Sequence, residues 1–291
     1  MSGLFSTFNI AKSGMTVQQK SIDVTSHNIA NANTPGYTRQ VARVVTSRAY
    51  GGITMGSSTQ PGQIGTGAEI SKIDRIRDTF LDYQIRSENS ILGKYQSRHD
   101  YLYQVESIFN EPSTTGTSSL IGKFYDSFQE LSKQPNSSNT RTVAAQQTLA
   151  LTDSLNSTYK QLDSLKTNVQ DMLKSNVTDI SSLLKQLDTL NQEIITVTVS
   201  GNTPNDLMDK RDNLLDELSG KFEITVENDK FNGIIVKPKD SGSMRASTLI
   251  NSSPNKEIST FSYVTAVEKD ATDLSGSTYI VTYYKNGDMS N

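Results

Sequence analysis

A mainly α-helical chain with a smaller β part, elongated and multidomain, is the fold predicted for these 291 residues. Three observations predict it. Long stretches repeat their apolar residues every three and four positions, the period of coiled-coil-like helices that pack along a seam. Only 34% of the chain is hydrophobic, too little for one large globule and suited to thin elements with small cores. From residue 221 the period drops to two, the alternation of strands in a β-domain that is incomplete within the sequence.

The first segment, 1–36, keeps the strictest beat. Leu4, Ala11, Gln18, Thr25 and Ala32 recur at every seventh position, and Phe8, Met15, Ile22 and Ile29 fall four residues after successive members of that set. The run Ser26-His27-Asn28-Ile29-Ala30-Asn31-Ala32-Asn33-Thr34-Pro35-Gly36-Tyr37 then stops the helix. Pro35 disfavours helix at Thr34, and Gly36 supplies a left-handed turn. A lone helix with one narrow apolar stripe is marginal in water, so this one is expected to need a partner helix that the following residues do not supply. The plainer alternative is an amphipathic helix docked on its own domain.

Residues 37–73 read as an extended β arm. Val41, Ala42, Val44 and Val45 suggest a strand, 51–67 is rich in Gly, Ser, Thr and Pro, and 69–73 is the return strand. No Gly-Lys-[Ser/Thr] follows those glycines, so they do not read as a phosphate cradle.

Residues 74–220 read as a long-helix domain. A helix at 74–109 carries Leu81, Ile85, Leu92, Tyr95, Leu102 and Phe109 on its seam, with Glu88, His99 and Glu106 between them. His99 is expected to be a core or pairing residue. A short helix at 120–131 shows Leu120, Phe124, Phe128 and Leu131 on one side. The longest helix, 141–199, capped by Asn139 or Thr140, has two polar seam residues, Lys166 and Asn176. These either fix the pairing register or mark where the neighbouring helix ends. After Gly201-Asn202-Thr203-Pro204 comes a helix at 207–218, capped by Asn205 or Asp206. Its alternating charges are expected to pair with Lys210 and Arg211 at the surface.

Residues 221–291 read as the β-domain. A hairpin joins 223–227 to 231–236, turning at 228–229 or at Asn232-Gly233, and further strands are expected at 259–268 and 277–284. Asn286-Gly287 is a hairpin turn signal with no returning strand after it.

Composition narrows the chemistry. A net charge of −3 offers no basic field for nucleic acid or anionic lipid. There is no cysteine and there are two histidines, His27 and His99, without metal-ligand spacing. No Gly-x-Ser-x-Gly elbow occurs, and Gly122-Lys123-Phe124 lacks the hydroxyl and upstream glycine spacing of a P-loop. No catalytic residue, cofactor or metal ligand is predicted. No 18-residue apolar run marks a membrane span, and the first residues are unlike a cleavable signal peptide.

The run at 26–37, with Ser2-Gly3-Leu4-Phe5 and Ala11-Lys12-Ser13-Gly14-Met15 before it, resembles the N-terminal signature shared by the axial proteins of the bacterial flagellum. Those are the rod, hook and hook-associated proteins. Asn205-Asp206-Leu207-Met208-Asp209-Lys210-Arg211-Asp212-Asn213-Leu214-Leu215-Asp216-Glu217-Leu218 is in turn similar to a stretch of the hook-associated protein 1 family. Hook and rod subunits share the opening signature and are not expected to carry this second stretch. An unrelated coiled-coil secretion chaperone or adhesin would account for the long seam but not for the run at 26–37.

The resemblance implies a structural subunit, not an enzyme, that joins hook to filament at an extracellular junction. It implies secretion through the flagellum's own type III export apparatus without a cleaved signal peptide. The implied partners are like subunits in a ring, the hook protein, a second junction protein (hook-associated protein 3), indirectly flagellin, and an export chaperone acting on a C-terminal part. The family pattern continues through more β-structure into a long C-terminal helix, so a truncated chain is expected here. The implied assembly interface is Leu4, Phe8, Ala11, Met15, Ile22, Asn28, Ile29, Asn31, Asn33, Pro35, Gly36 and Tyr37, and His27 is expected to contact a neighbouring subunit.

Overall fold

The structure is a computed structural model. It describes residues 3–49, 65–109, 113, 116–239, 248–253, 258, 261, 263–269 and 279–284, with the side chains of 3–4, 263–269 and 279–284 left out. The side chain of Leu4, the loop at 51–64 and the turn signal Asn286-Gly287 therefore lie outside the described residues.

The described chain is mainly helical, with three antiparallel two-stranded sheets. Helix α1 (Gly3–Ala30) leads through the signature turn into strands β1 (Gln40–Thr46) and β2 (Ala68–Arg75), which pair from Gln40↔Arg75 to Thr46↔Ala68. Helices α2 (Thr79–Phe109), α3 (Thr117–Lys133), α4 (Ser138–Val199) and α5 (Asn205–Lys221) follow. Strands β3 (Ile224–Asn228) and β4 (Ile234–Pro238) form a hairpin, and β5 (Tyr263–Lys269) and β6 (Tyr279–Tyr284) form another.

Several boundaries differ from the sequence reading, each for a local reason. Asp74 and Arg75 continue β2 opposite Val41 and Gln40 instead of opening a helix. The second helix starts only after Asp78, whose Oδ1 accepts from the backbone N–H of Phe80 at 2.9 Å and so caps the first turn. Neither Asn139 nor Thr140 caps α4, since the helix has begun at Ser138. Neither Asn205 nor Asp206 caps α5, since the helix has begun at Asn205 directly after Pro204, and both side chains bind other partners described below. The turn of the β3–β4 hairpin centres on Phe231 and Asn232, both at positive φ (57° and 59°), and Gly233 N–H donates back to Lys230 O at 3.1 Å.

The chain divides into two compact units, residues 1–89 with 182–259 and residues 90–181 with 260–291. The core of the first is aliphatic: Leu183, Leu184, Leu187 and Ile194 from α4, Leu215 and Leu218 from α5, and Ile224, Ile234, Val236, Leu249 and Ile250 from the strands and their flank. Asn191 of α4, fully buried, ties the sheet to this core. Its Nδ2 donates to Ile234 O (3.1 Å) and its Oδ1 accepts from Ile234 N–H (2.9 Å), satisfying an edge that would otherwise be an orphan in an apolar setting.

In the second unit the helices bury little. Ser127 and Ala144 are covered, and the rings of Phe124 and Phe128 lie 4.7 Å apart. The predicted seam of α2, whose residues to 89 belong to the first unit and the rest to the second, is not packed. Leu81, Ile85, Leu92, Tyr95, Leu102 and Phe109 are all exposed, and the helix turns Arg86, Val105 and Ile108 inward instead. His99 is exposed and stacks on Tyr103, its ring centroid 6.4 Å away, so it is no core residue. Lys166 is likewise exposed.

Candidate functional site

Helix α1 has two faces with opposite fates. One face carries Val17, 5% exposed, with half-buried Ser13, Gly14, Ser21, Val24 and Asn28, and it packs against the β1–β2 hairpin. Small residues let the strands come close: a Cβ at Gly67 would fall 2.0 Å from Ser13 Oγ, and Gly67 itself has φ +117°. The other face is the heptad seam. Phe8 (64%), Met15 (66%), Ile22 (59%) and Ile29 (72%) stand exposed, together with Ala11. The helix expected to lack a mate therefore has one, a hairpin on the side away from the seam. The seam itself has no cover within the described residues.

At the C-terminal end the signature residues unwind the helix by local hydrogen bonds. Asn31 Nδ2 donates to His27 O (3.0 Å), Thr34 Oγ1 donates to Asn31 Oδ1 (3.3 Å), and Gly36 turns the chain at φ +76°. Asn33 and Pro35 are exposed. Asn28 and Tyr37 are half-buried, and Tyr37 Oη donates to Asn28 Oδ1 at 2.8 Å. With that proton committed, the 3.0 Å contact from His27 Nδ1 makes the imidazole the donor, so its proton sits on Nδ1. His27 thus has a partner in its own chain. A groove of about 570 Å³ opens here, walled by Val24, Ile29, Ala32, Val41 and Ala42.

Behind the turn, α5 grips the strap that leads into β1. Asn28 Nδ2 donates to Gln40 O and its Oδ1 accepts from Gln40 N–H, both at 2.8 Å. The Gln40 side chain is held from the opposite direction: Nε2 donates to Asp206 Oδ1 (3.1 Å), and Oε1 accepts from Asn205 Nδ2 (3.1 Å). Asn205 Nδ2 also donates to Ile73 O (2.9 Å), and Thr38 N–H donates to Asp209 Oδ2 (3.0 Å). The run at 26–37 and the stretch at 205–218 meet on one residue, since Asn28 of the first and Asn205 and Asp206 of the second all bind Gln40.

The charges of α5 are not the surface pairs expected from helix spacing. Asp209, Arg211 and Asp212 are buried. Arg75 Nη1 bridges Asp209 Oδ1 (2.7 Å) and Asp212 Oδ2 (2.8 Å). Arg77 Nε binds Asp82 (2.7 Å) and approaches Asp212 (3.6 Å), while Arg86 binds Asp216 (2.7 Å) and approaches Asp212 (3.6 Å). Arg211 Nη1 donates to Asn232 O at 2.6 Å and so holds the strained turn of the β3–β4 hairpin. Asp212 is the shared anion of four guanidiniums, beside a cavity of about 540 Å³.

The electrostatics follow from this crowding. Burial pushes the Arg211 guanidinium down to about 10, with Asp212 opposing the shift and Arg75, Arg86 and Arg77 adding to it. Burial also disfavours the Arg77 cation, yet its bond to Asp82 and the fields of Asp212, Asp82 and Asp216 hold it above its usual value. Burial, and then the carboxylates of Asp206 and Asp209, raise the Tyr37 phenol above its ordinary range.

Gln40, Arg75, Arg77, Arg86, Asn205, Asp209 and Asp212 are missing from the sequence-predicted set. One signal pointed to part of them. Asp209, Asp212 and Asp216 recur at helical spacing on one side of α5, while Arg75, Arg77 and Arg86 lie clustered in sequence far away. Among the described residues no group of three or more His, Cys, Asp or Glu could hold a metal ion, and no helix is long and apolar enough to cross a membrane.

Similarity to other proteins takes in both motifs and much of the chain around them. Residues 102–283 match the family described as flagellar hook-associated protein FlgK helical domain, and residues 8–38 match the flagella basal body rod protein family. Flagellar hook-associated protein 1 of Bacillus subtilis is 36% identical over 233 residues, 80% of this chain and 46% of that protein. The Salmonella typhimurium protein of that name is 30% identical over 244 residues, 81% of this chain and 40% of its own. A solved structure, the flagellar hook junction protein FlgK from Burkholderia pseudomallei, covers 70% of this chain at 20% identity with a TM-score of 0.49. The chain spans under half the length of the relatives it matches. Its match to the helical-domain model over more than half its residues shows that it belongs to the flagellar hook-associated protein FlgK family.

Proposed function

We propose that this chain is a structural subunit of the bacterial flagellum at the extracellular junction of hook and filament, and that the seam of α1 with the signature turn is its assembly interface. The observation that carries this is the division of α1. One face is docked in the chain, and the other exposes Phe8, Met15, Ile22 and Ile29 at heptad spacing. Such a stripe in water has its use in a helix–helix contact. Leu4, Ala11, Asn31, Asn33, Pro35, Gly36 and Tyr37 extend the interface along the helix and around the turn.

The role is mechanical, not enzymatic. Like subunits assemble in a ring through coiled-coil packing of their terminal helices, one side meets the hook protein and the other the second junction protein, and flagellin follows beyond it. Export runs through the flagellar type III apparatus. The rod-protein match at 8–38 favours a hook or rod subunit as the second reading. The match at 102–283 weighs against it. Ile22→Asp, carried in the full gene, tests the proposal. Loss of filament growth with the subunit still exported is the expected result, and normal growth would sink it.

A further inference from the structure

Among the described residues, Gln40 is bound by both α1 and α5. The main chain of Gln40 is bound by Asn28 of α1 through two 2.8 Å bonds, and its side chain by Asn205 and Asp206 of α5 through two 3.1 Å bonds. Thr38 N–H on Asp209 fixes the strap two residues earlier. We propose that Gln40, with Asn205 and Asp206, is a positioning joint: it sets the direction in which α1 leaves the body of the first unit, and assembly depends on that direction. This rests on the assembly reading of the α1 seam and adds what orients it.

The reason is leverage. From Asn28 back to Phe8 the helix runs about 30 Å at 1.5 Å per residue. A tilt of ~10° at the joint would carry Phe8 sideways by about 5 Å, more than the ~4–4.5 Å reach of a side-chain contact and enough to pull a knob from its hole. Packing against the β1–β2 hairpin holds α1 to the strands, and it directs the helix only as far as the strap and strands are themselves held to α5. The strap and hairpin reach α5 through the side chain of Gln40, Thr38 N–H, the bond from Asn205 to Ile73 O, and Arg75 on Asp209 and Asp212. Of these residues, Gln40 is the one that Asn28 of α1 also holds.

The chemistry of the grip allows a reversible test. Gln40→Glu sets a carboxylate against Asp206 Oδ1, replacing a donor by a charge of the same sign. Adding Asp206→Asn returns a donor, so the carboxylate introduced at position 40 accepts from both amides in the double variant. The chain holds no cysteine, so cysteines placed at exposed Lys20 on α1 and exposed Glu217 on α5 take spin labels cleanly. The purified parent should give a narrow label-to-label distance distribution, Gln40→Glu a broad one, and Gln40→Glu with Asp206→Asn a narrow one again. In cells carrying the same substitutions in the full gene, junction incorporation should fall at least tenfold for Gln40→Glu and recover in the double variant.

A narrow distribution for Gln40→Glu, or a broad one with normal incorporation, overturns the joint. If Gln40→Glu unfolds the unit, Gln40→Ala replaces it under the same criteria. Ile22→Asp in the same cells separates the two claims. Blocked Ile22→Asp with normal Gln40→Glu removes the joint alone, whereas normal incorporation of Ile22→Asp removes the assembly reading itself.

Discussion

Asn28 and Gln40 meet as two strands would, the side-chain amide of one closing a two-bond ring on the peptide groups of the other at 2.8 Å each. Asn191 repeats the device on Ile234 at the edge of the β3–β4 hairpin. In both places a helix captures a strand edge with an asparagine, the short side chain that carries donor and acceptor side by side.

Truncating these asparagines should therefore cost more than an ordinary polar deletion. Asn191→Ala leaves two groups of Ile234 unpaired in a dry core and should lower unfolding free energy by about 2–4 kcal/mol. Asn28→Ala, at a half-buried site where water can substitute, should cost less, about 1–2 kcal/mol. Urea denaturation of the two variants against the parent reads the difference.

Removing the shared anion should be worse. Asp212→Asn strands Arg75, Arg77, Arg86 and Arg211 around a neutral amide, and breaking a buried pair in this way costs about 3–5 kcal/mol. Glu217→Gln, exposed on the same helix, should shift stability by less than ~0.5 kcal/mol. Equal midpoints for the two variants would show that the cluster is surface decoration.

Tyr37 makes the folded chain lose stability on the alkaline side. Its phenol is raised in the folded chain by burial and by Asp206 and Asp209, so the stability it contributes is complete below the ordinary tyrosine value near 10. It is lost as pH rises through the higher folded value, because the unfolded chain releases the proton first. Subtracting the phenolate absorbance of Tyr37→Phe from that of the parent isolates one of the twelve tyrosines. That difference should titrate above the bulk of the others.

Two glycines should respond in opposite directions. Gly36 sits at φ +76°, where alanine is strained, and its Cβ would meet the Asn213 amide, so Gly36→Ala should destabilise by about 1 kcal/mol or more. Gly14 lies inside α1 with open space at its Cβ, so Gly14→Ala should stabilise by about 0.5–1 kcal/mol. Thermal unfolding of both variants checks the sign of each.

Local signals were readable in the sequence. The heptad beat marked α1 and α4, Pro35 and Gly36 marked the end of α1, and the apolar run Val41, Ala42, Val44 and Val45 marked β1. What stayed hidden depends on distant partners. The face of α1 that docks holds Ser13, Gly14, Val17 and Ser21, too small to register as an apolar stripe, so the larger seam drew attention and the hairpin mate was missed. The α2 seam shows the same limit, since periodicity reports a stripe and not what covers it. Asp206, Asp209 and Asp212 look like solvated helix charges until Gln40, Thr38 and Arg75 are brought to them by the fold.

Thiol labelling tests the two-faced helix most directly, because the chain has no cysteine of its own. Ile22→Cys should react at once in the free protein and become protected in assembled flagella, while Val17→Cys should be protected in both. An Ile22→Cys thiol that is shielded in the free protein, or that stays reactive after assembly, would contradict the account.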